Sequence, residues 1–166
     1  MQTWRTSMPA AVIALIAIGC ASGSDPQEPD AAAGGVVRAG VAYAADTAIM
    51  ESFPVQLAVT VTAVNAGTRT AAVTFPDGCL VLLRVYRDAA RTQLVWDQGE
   101  HVGCTMALVE WRLQPGGSRT ARTGASAGDI LGTTLPDGHY WFGAVIRPDG
   151  QEIALPAGDA DLAVAR

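Results

Sequence analysis

Lysine is absent from this sequence, and its 11 basic residues are all arginines set against 16 acidic residues. The formal net charge of −5 offers no basic face for the phosphates of nucleic acid, so we expect no nucleic-acid partner. The sequence also lacks a phosphate-binding loop and a zinc-binding cysteine pair, and it has two histidines in total. We therefore predict no cofactor, no metal ion and no enzymatic activity.

Long helical patterns are missing as well. Hydrophobic residues make up 49% and charged residues 16% of the chain, so it is too apolar to be disordered throughout. No stretch keeps a hydrophobic period of 3.6 residues, and 18 glycines and 9 prolines are spread along the chain. We expect at most a short helical turn, at residues 43–50.

The N-terminus has the features of a bacterial export signal. Arg5 precedes an apolar run at residues 10–18, which is shorter than the ~20 residues needed to span a bilayer. The sequence AIGC, ending at Cys20, resembles a lipobox, and this resemblance implies that Cys20 becomes the acylated first residue of the mature chain. Acyl chains would anchor the protein firmly in a membrane. An ordinary signal cleaved beside an incidental cysteine is the alternative.

Three segments follow from this interpretation. We predict a lipoprotein signal peptide at residues 1–19, the acylated Cys20 with a flexible linker at residues 20–35, and a folded domain at residues 36–166. The linker is acidic and rich in proline and small residues, so it cannot bury an apolar surface. The expected product is an exported lipoprotein of the bacterial cell envelope, anchored to the outer membrane or the periplasmic face, because Ala21 is not the aspartate associated with inner-membrane retention.

The folded domain consists of short segments that alternate in hydrophobicity. Residues 55–64 alternate between apolar and polar side chains, which is typical of a half-buried strand. The polar segment at residues 118–123 is expected at the edge of a sheet. In the segment at residues 106–113 we expect one inward-facing set: Ala107, Val109, Trp111 and Leu113. Further strands are expected at residues 70–75, 79–87, 94–97, 139–147, 151–155 and 160–164.

Three Pro-Asp-Gly turns, beginning at Pro76, Pro136 and Pro148, separate these segments. Strands punctuated in this way predict an all-β fold: an immunoglobulin-like antiparallel β-sandwich with Greek-key topology and about seven to nine strands. Tyr140 follows the second turn at the start of a late strand. We expect its hydroxyl to bond back to the preceding corner, as in the tyrosine corner of Greek-key sandwiches.

An ordered series of short sequences connects this domain with a known family. The series is VTVTAVN at 59–65, VTFPDG at 73–78, residues 83–87 with Val95-Trp96, LQPGGS at 113–118 and LPDGHYWFGA at 135–144. In this order the segments resemble the BsuPI-type intracellular proteinase inhibitor domain, an immunoglobulin-like β-sandwich. The resemblance implies a non-enzymatic protein whose partner is another protein, a serine protease.

Two cysteines remain when Cys20 is acylated. In an exported protein, Cys79 and Cys104 are expected to form a disulfide. The bond would close a loop of about 26 residues and stabilise the fold by roughly 3 kcal/mol in the chain-entropy description. A metal site and two free thiols are the alternatives.

A copper site is one hypothesis for the metal-binding alternative, since His101, Cys104 and Met106 are copper-ligand types. Their order is the reverse of the blue-copper loop, where cysteine comes before histidine and methionine. A second histidine is needed, and His139 is the one available. A disulfide would also consume the thiolate. We therefore prefer the disulfide.

Two further patterns resemble catalytic motifs, a serine nucleophile and a carboxylate pair, but the neighbouring sequence does not favour either function. Residues 124–128 match G-x-S-x-G around Ser126, but that motif works at a strand-to-helix turn in an α/β sheet. We interpret this segment as a flexible loop of small residues, because Gly132 and Pro136 prevent a long helix after it. Asp159 and Asp161 are paired carboxylates that we expect on a solvated face.

The sequence therefore predicts a lipid-anchored β-sandwich that binds other molecules at its surface, with proteinase inhibition implied by the family resemblance. An inhibitor of this kind presents a rigid exposed loop to the protease. Residues 97–103, which Cys104 would brace, and residues 125–134 are both candidate loops. The alternative is a structural or accessory envelope lipoprotein that has no protease partner.

Overall fold

A computed structural model describes residues 34–50 and 55–164, which belong to one compact unit. The predicted signal peptide, Cys20 and all but the last two residues of the predicted linker lie outside the described residues. Within the described part of the chain, none of the helices has the length and apolar character that crossing a bilayer requires.

The first sheet has four antiparallel strands in the order β1-β2-β3-β8. The strands are β1 (Val36–Arg38), β2 (Val41–Met50), β3 (Gln56–Asn65) and β8 (Ser118–Ser126). In β3 one alternating set of side chains is fully buried, from Leu57 to Asn65, and the other set, which includes Thr60 and Thr62, is mostly half-buried, so one face of the strand packs in the core. Among the described strands β8 pairs with β3 alone, which confirms the prediction of a polar strand at a sheet edge.

The second sheet is also antiparallel, with the order β10-β9-β5-β6. Its strands are β5 (Leu82–Tyr86), β6 (Leu94–Asp97), β9 (Gly138–Ile146) and β10 (Ile153–Leu162). A separate pair is formed by β4 (Ala71–Phe75) and β7 (Val109–Leu113). One short helix, α1 (Ala127–Leu131), follows β8, and 3₁₀ turns occupy Gln98–Glu100 and Pro148–Gly150.

The core lies between the two sheets. The side chains of Val59, Leu83, Val85 and Phe142 are fully buried there, and Tyr43 and Trp111 pack around them. Burial of this apolar surface is the main source of stability for such a sandwich. The predicted fold class, an all-β sandwich of antiparallel sheets, is thus confirmed.

Tyr140 closes the corner before β9. Its hydroxyl donates a hydrogen bond of 2.6 Å to the carbonyl oxygen of Pro136, and its ring lies 4.7 Å below the guanidinium carbon of Arg87. Burial raises the pKa of the Tyr140 hydroxyl, so it stays protonated and able to donate. The predicted tyrosine corner is confirmed.

Asn65, the last residue of β3, is a buried polar residue whose side chain makes three hydrogen bonds. Its side-chain nitrogen donates to the carbonyl oxygens of Arg69 at 2.7 Å and Leu113 at 2.9 Å. Its side-chain oxygen accepts from the backbone nitrogen of Gly67 at 2.9 Å. The side chain therefore joins the end of β3, the turn that follows it and the end of β7.

The expected number of strands and the expected structure of residues 43–50 were wrong. The structure has ten strands in the described residues, against the seven to nine expected. Residues 43–50, for which we expected at most a helical turn, belong to β2, which pairs with β3 from Val41–Asn65 to Met50–Gln56. Long-range pairing determines this segment, because four of its ten residues are alanines, which prefer helices in isolation.

Candidate functional site

Cys79 and Cys104 form the predicted disulfide, with an S–S distance of 2.07 Å and a Cα–Cα distance of 5.3 Å. Two hydrogen bonds support it. The backbone nitrogen of Cys79 donates to the carboxylate of Asp77, and that of Gly78 donates to the carbonyl oxygen of Thr105, each at 2.9 Å. The turn after β4 is thus joined to the chain before β7 by one covalent bond and one backbone hydrogen bond.

The segment that this disulfide holds is an exposed apolar loop. Residues 103–108, which we call the braced loop, contain no helix or strand. Met106 is 99% exposed and Leu108 is 71% exposed, and Val102, immediately before the loop, is 41% exposed. Large apolar side chains that cluster in the solvent mark a contact surface more often than isolated ones do.

The predicted strand at residues 106–113 is therefore too long. β7 begins at Val109, and Ala107, which we expected to face inward, is exposed. Val109 pairs with Phe75, and the residue after Phe75 is Pro76. Proline has no backbone N–H to continue the ladder, so the partner of Leu108 is lost and the chain leaves the sheet.

The two candidate loops predicted from the sequence meet at one cavity of about 270 Å³. The segment at residues 97–103 contributes His101, and the segment at residues 125–134 contributes Asp129. The His101 ring stacks on Trp96, with centroids 5.3 Å apart and planes 13° apart. Trp96 is 9% exposed, and its indole Nε1 has no hydrogen-bond partner within the described residues. The cavity is therefore lined by an indole ring, an imidazole and a carboxylate.

The prediction of a flexible loop at residues 124–128 was wrong. β8 extends to Ser126, which is the N-cap of α1. The Ser126 hydroxyl donates to the Asp129 carboxylate at 2.6 Å and accepts from the Asp129 backbone nitrogen at 3.0 Å, forming a capping box. The hydrogen bond from the Ser126 hydroxyl, together with one from the Ser126 backbone nitrogen at 3.1 Å, lowers the pKa of Asp129. The serine of the G-x-S-x-G match is thus a helix cap, and no contact with an imidazole is present in the described part of the chain.

A second cavity, of about 340 Å³, lies on the other side of Gln98 and Val102. It is lined by Arg122 and its neighbours in β8 and by the chain that leads from Gly78 into β5. Gln98 is buried between the two cavities. Its side-chain oxygen accepts from the Leu83 nitrogen and the Thr123 hydroxyl, and its nitrogen donates to the Gly124 carbonyl. Gln98 therefore links the two sheets on this side of the sandwich, which we call the open side.

His139 lies between the two carboxylates that we expected on a solvated face. Asp159 and Asp161 are exposed, as predicted, and they contact opposite nitrogens of the His139 ring at 2.9 Å each. The hydrogen bond with Asp161 is the largest cause of a raised pKa of His139; desolvation opposes it, and the hydrogen bond with Asp159 raises the pKa further. This contact of His139 was not predicted from the sequence. It depends on the register of β9 against β10, which brings His139 opposite Asp161.

The copper hypothesis is not compatible with the disulfide, since the sulfur of Cys104 is bonded to Cys79. The one group of metal-ligand types that the described residues bring together consists of Asp77, Cys79 and Cys104. Both cysteines in that group belong to the disulfide, so neither can supply a thiolate.

The solved structures that match this chain do so at low sequence identity and low TM-score. No family model and no curated protein matches the chain. A β-glucosidase involved in saponin metabolism from intestinal bacteria matches 71% of this chain at 13% identity and a TM-score of 0.35, and the match spans 16% of that enzyme. An ApaA protein of Bordetella pertussis matches at 18% identity and a TM-score of 0.34, over 76% of this chain and 93% of that one. TM-scores this low carry no argument about function.

Proposed function

We propose that this protein is a lipid-anchored binding module of the bacterial cell envelope, and that the braced loop is its contact with a protein partner. The observation that carries the proposal is the 99% exposure of Met106 on a segment tied down two residues earlier by a disulfide. A segment already held in place loses little conformational entropy on binding, so more of its contact energy appears as affinity.

The family resemblance supports a serine protease as that partner. A protease cleft takes an extended segment, and residues 103–108 have no secondary structure that would have to unfold first. In this proposal Met106 enters a specificity pocket and Leu108 contacts the rim beside it. The disulfide and the bond from Gly78 to Thr105 hold the loop, so that it resists cleavage.

The anchor rests on the lipobox-like sequence and on the redox state of the cysteines. A disulfide is typical of proteins that fold in an oxidising compartment outside the cytoplasm. Acylation of Cys20, followed by a proline-rich linker, would hold the sandwich near a membrane and leave it free to reach its partner. A Cys20→Ser variant expressed in a bacterium should lose its lipid and pass from the membrane fraction to the soluble fraction.

An inhibition assay tests the function of the loop. We expect the protein to slow hydrolysis of a peptide substrate by at least one enzyme in a panel of subtilisin-like proteases, while its own chain stays intact. Met106→Asp should abolish the inhibition, because a carboxylate in an apolar pocket is costly. Val37→Asp is the matched control, since Val37 is 69% exposed on β1 and should tolerate the change.

Two outcomes would contradict the proposal. If no protease of the panel is slowed, the partner is not a protease of this class, and an accessory envelope role is favoured instead. If Met106→Asp and Val37→Asp both inhibit like the unmodified protein, the braced loop is not the contact. Thermal unfolding of each variant checks that the folded state is retained.

A further inference from the structure

We propose that the open side of the sandwich binds an extended peptide segment, which adds to β8 as a fifth strand of the first sheet. This site includes no residue of the braced loop, although Cys79, which is bonded to that loop, lines one of its cavities, and the proposal does not depend on the function proposed above. It rests on the free backbone groups of β8, on the two cavities beside them, and on two side chains of opposite charge.

The register of β8 shows which of its backbone groups are free. In an antiparallel ladder, alternate residues direct both their N–H and their C=O to the same neighbouring strand. Gly117 and Ala127, at either end of β8, bond to Asn65 and Val55 on the β3 side. The Gly124 carbonyl instead accepts from Gln98, away from β3. The backbone N–H and C=O groups of the even-numbered residues of β8 therefore point away from β3, to the edge of the sheet that we call the open edge.

Thr120, Arg122 and Gly124 are the even-numbered residues at the middle of this edge, and all three are exposed. Within the described residues, β8 has no strand partner on this side. The Gly124 carbonyl is the one backbone group of these three residues with an observed bond on this side. Such an edge is a template for another strand, because its donors and acceptors already have ladder spacing.

The cavities give the added strand room for its side chains. The cavity of about 340 Å³ lies beside Ala121, Arg122 and Thr123, and the cavity of about 270 Å³ lies beside Gly124 and Ala125. Alternate side chains of a strand in this position would enter them. Trp96 lines the cavity of about 270 Å³, and its indole nitrogen is buried without a hydrogen-bond partner in the described residues.

The charges of Arg122 and Asp129 determine which peptide sequence the open side prefers. Arg122 has no carboxylate partner within the described part of the chain, and its guanidinium contacts the sulfur of Met50 at 3.9 Å. Asp129 lines the other cavity. Its carboxylate is bonded to Ser126, and Ser126 lies four residues after Arg122. At ~3.3 Å per residue, Arg122 and Ser126, whose hydroxyl is bonded to the Asp129 carboxylate, are about 13 Å apart along the strand. An antiparallel peptide would place a basic residue beside Asp129 and, four positions later, an acidic residue beside Arg122.

Two copies of this chain are less suitable partners for each other at this edge. Antiparallel pairing of β8 with its copy would bring Arg122 and Arg119 of each chain close to those of the other, and like charges facing each other on paired strands are destabilising. An exposed arginine is also a known device against edge-to-edge association. The occupant we infer is therefore a foreign extended segment of the pattern basic-x-x-x-acidic.

The test uses a blocked heptapeptide, serine-arginine-valine-threonine-valine-aspartate-serine, added to the isotope-labelled mature chain in detergent micelles. Amide exchange at Arg122 and Gly124 should slow about tenfold at a peptide concentration about ten times the dissociation constant. The amide of Val37, on the outer strand β1, serves as the internal control and should not change. A peptide with arginine and aspartate exchanged should bind more weakly, and equal binding would overturn the inferred orientation.

Two variants separate the backbone contact from the charge. Arg122→Pro removes an N–H from the open edge and leaves the β3–β8 ladder intact, so it should abolish binding. Arg122→Gln keeps the N–H and should lower the affinity by about two- to fivefold. If Arg122→Pro binds the peptide like the unmodified chain, strand addition is ruled out.

A change in the peptide provides the same test without any change in the protein. Methylation of the backbone nitrogens that face β8 should abolish binding, and retained binding would overturn the proposal even if Arg122→Pro fails to fold. Exchange at Arg122 that slows with protein concentration in the absence of peptide would show that a second copy occupies the edge, which also overturns it.

Discussion

The hydroxyl of Tyr140 lies 2.6 Å from the carbonyl oxygen of Pro136 and donates a hydrogen bond to it across the corner that leads into β9. Tyr140 is fully buried, so a hydroxyl without this partner could not replace the lost hydrogen bond with one to water. The bond therefore ties Tyr140, the third residue of β9, to the turn that precedes the strand.

Removal of that hydroxyl should destabilise the fold. We expect Tyr140→Phe to lower the free energy of unfolding by about 1–2 kcal/mol, measured by urea denaturation. Tyr86→Phe is the matched control, because Tyr86 is 9% exposed and its hydroxyl has no hydrogen bond within the described residues. Equal losses in the two variants would mean that the bond to Pro136 contributes nothing beyond the packing of the ring.

Replacement of Asn65 should lower the free energy of unfolding more than removal of the Tyr140 hydroxyl does. Asn65→Ala removes three hydrogen bonds and leaves the carbonyl oxygen of Leu113 buried without its partner, so we expect a loss of about 2–4 kcal/mol. Asn65→Asp keeps the acceptor for Gly67 and loses both donors. If its stability equals that of the unmodified protein, the two donated bonds are not the stabilising ones.

The disulfide should matter both for stability and for the braced loop. Replacement of Cys79 and Cys104 by alanine opens a link across a sequence separation of 25 residues and should cost about 3 kcal/mol by denaturant unfolding. Backbone relaxation measured by NMR should show increased motion at residues 105–108 and unchanged motion in β9. Unchanged motion in the loop would show that the bond from Gly78 to Thr105 holds it alone.

The sequence predicted the features that depend on neighbouring residues and missed those that depend on distant ones. The tyrosine corner follows from Tyr140 and the turn just before it, and the edge position of β8 follows from its own polar side chains. The start of β7 depends on Pro76, which lies more than thirty residues earlier, so no local pattern at Met106 reports it. The alanines of β2 likewise carry no strand signal until β3 pairs with them.

The same difference applies to the candidate sites. The disulfide could be predicted because Cys79 and Cys104 are the cysteines left after the lipobox. The open side could not be predicted, because Gln98 joins β5 to β8 through side-chain bonds that no spacing in the sequence specifies. The capping role of Ser126 was hidden by the small residues around it, although Asp129 three positions later is a capping signal.

The ion pairs of His139 should make stability depend on pH. Asp161 and Asp159 raise the pKa of His139, so the folded protein holds this proton more tightly than the unfolded chain does. The stabilising contribution is fully present below the ordinary histidine pKa of about 6.5, and it is lost as the pH rises through the higher pKa of the folded state. An NMR titration of the His139 ring should show the raised pKa directly.

Asp161→Asn should lower that pKa more than Asp159→Asn does, because the hydrogen bond with Asp161 is the largest cause of the shift. The difference in unfolding free energy between the unmodified protein and Asp161→Asn should shrink as the pH rises from 5 to 9. Both aspartates are exposed, so the effect should weaken when salt is raised to molar concentration. A difference that stays constant across this pH range would mean that Asp161 acts on stability without its charge contact to His139.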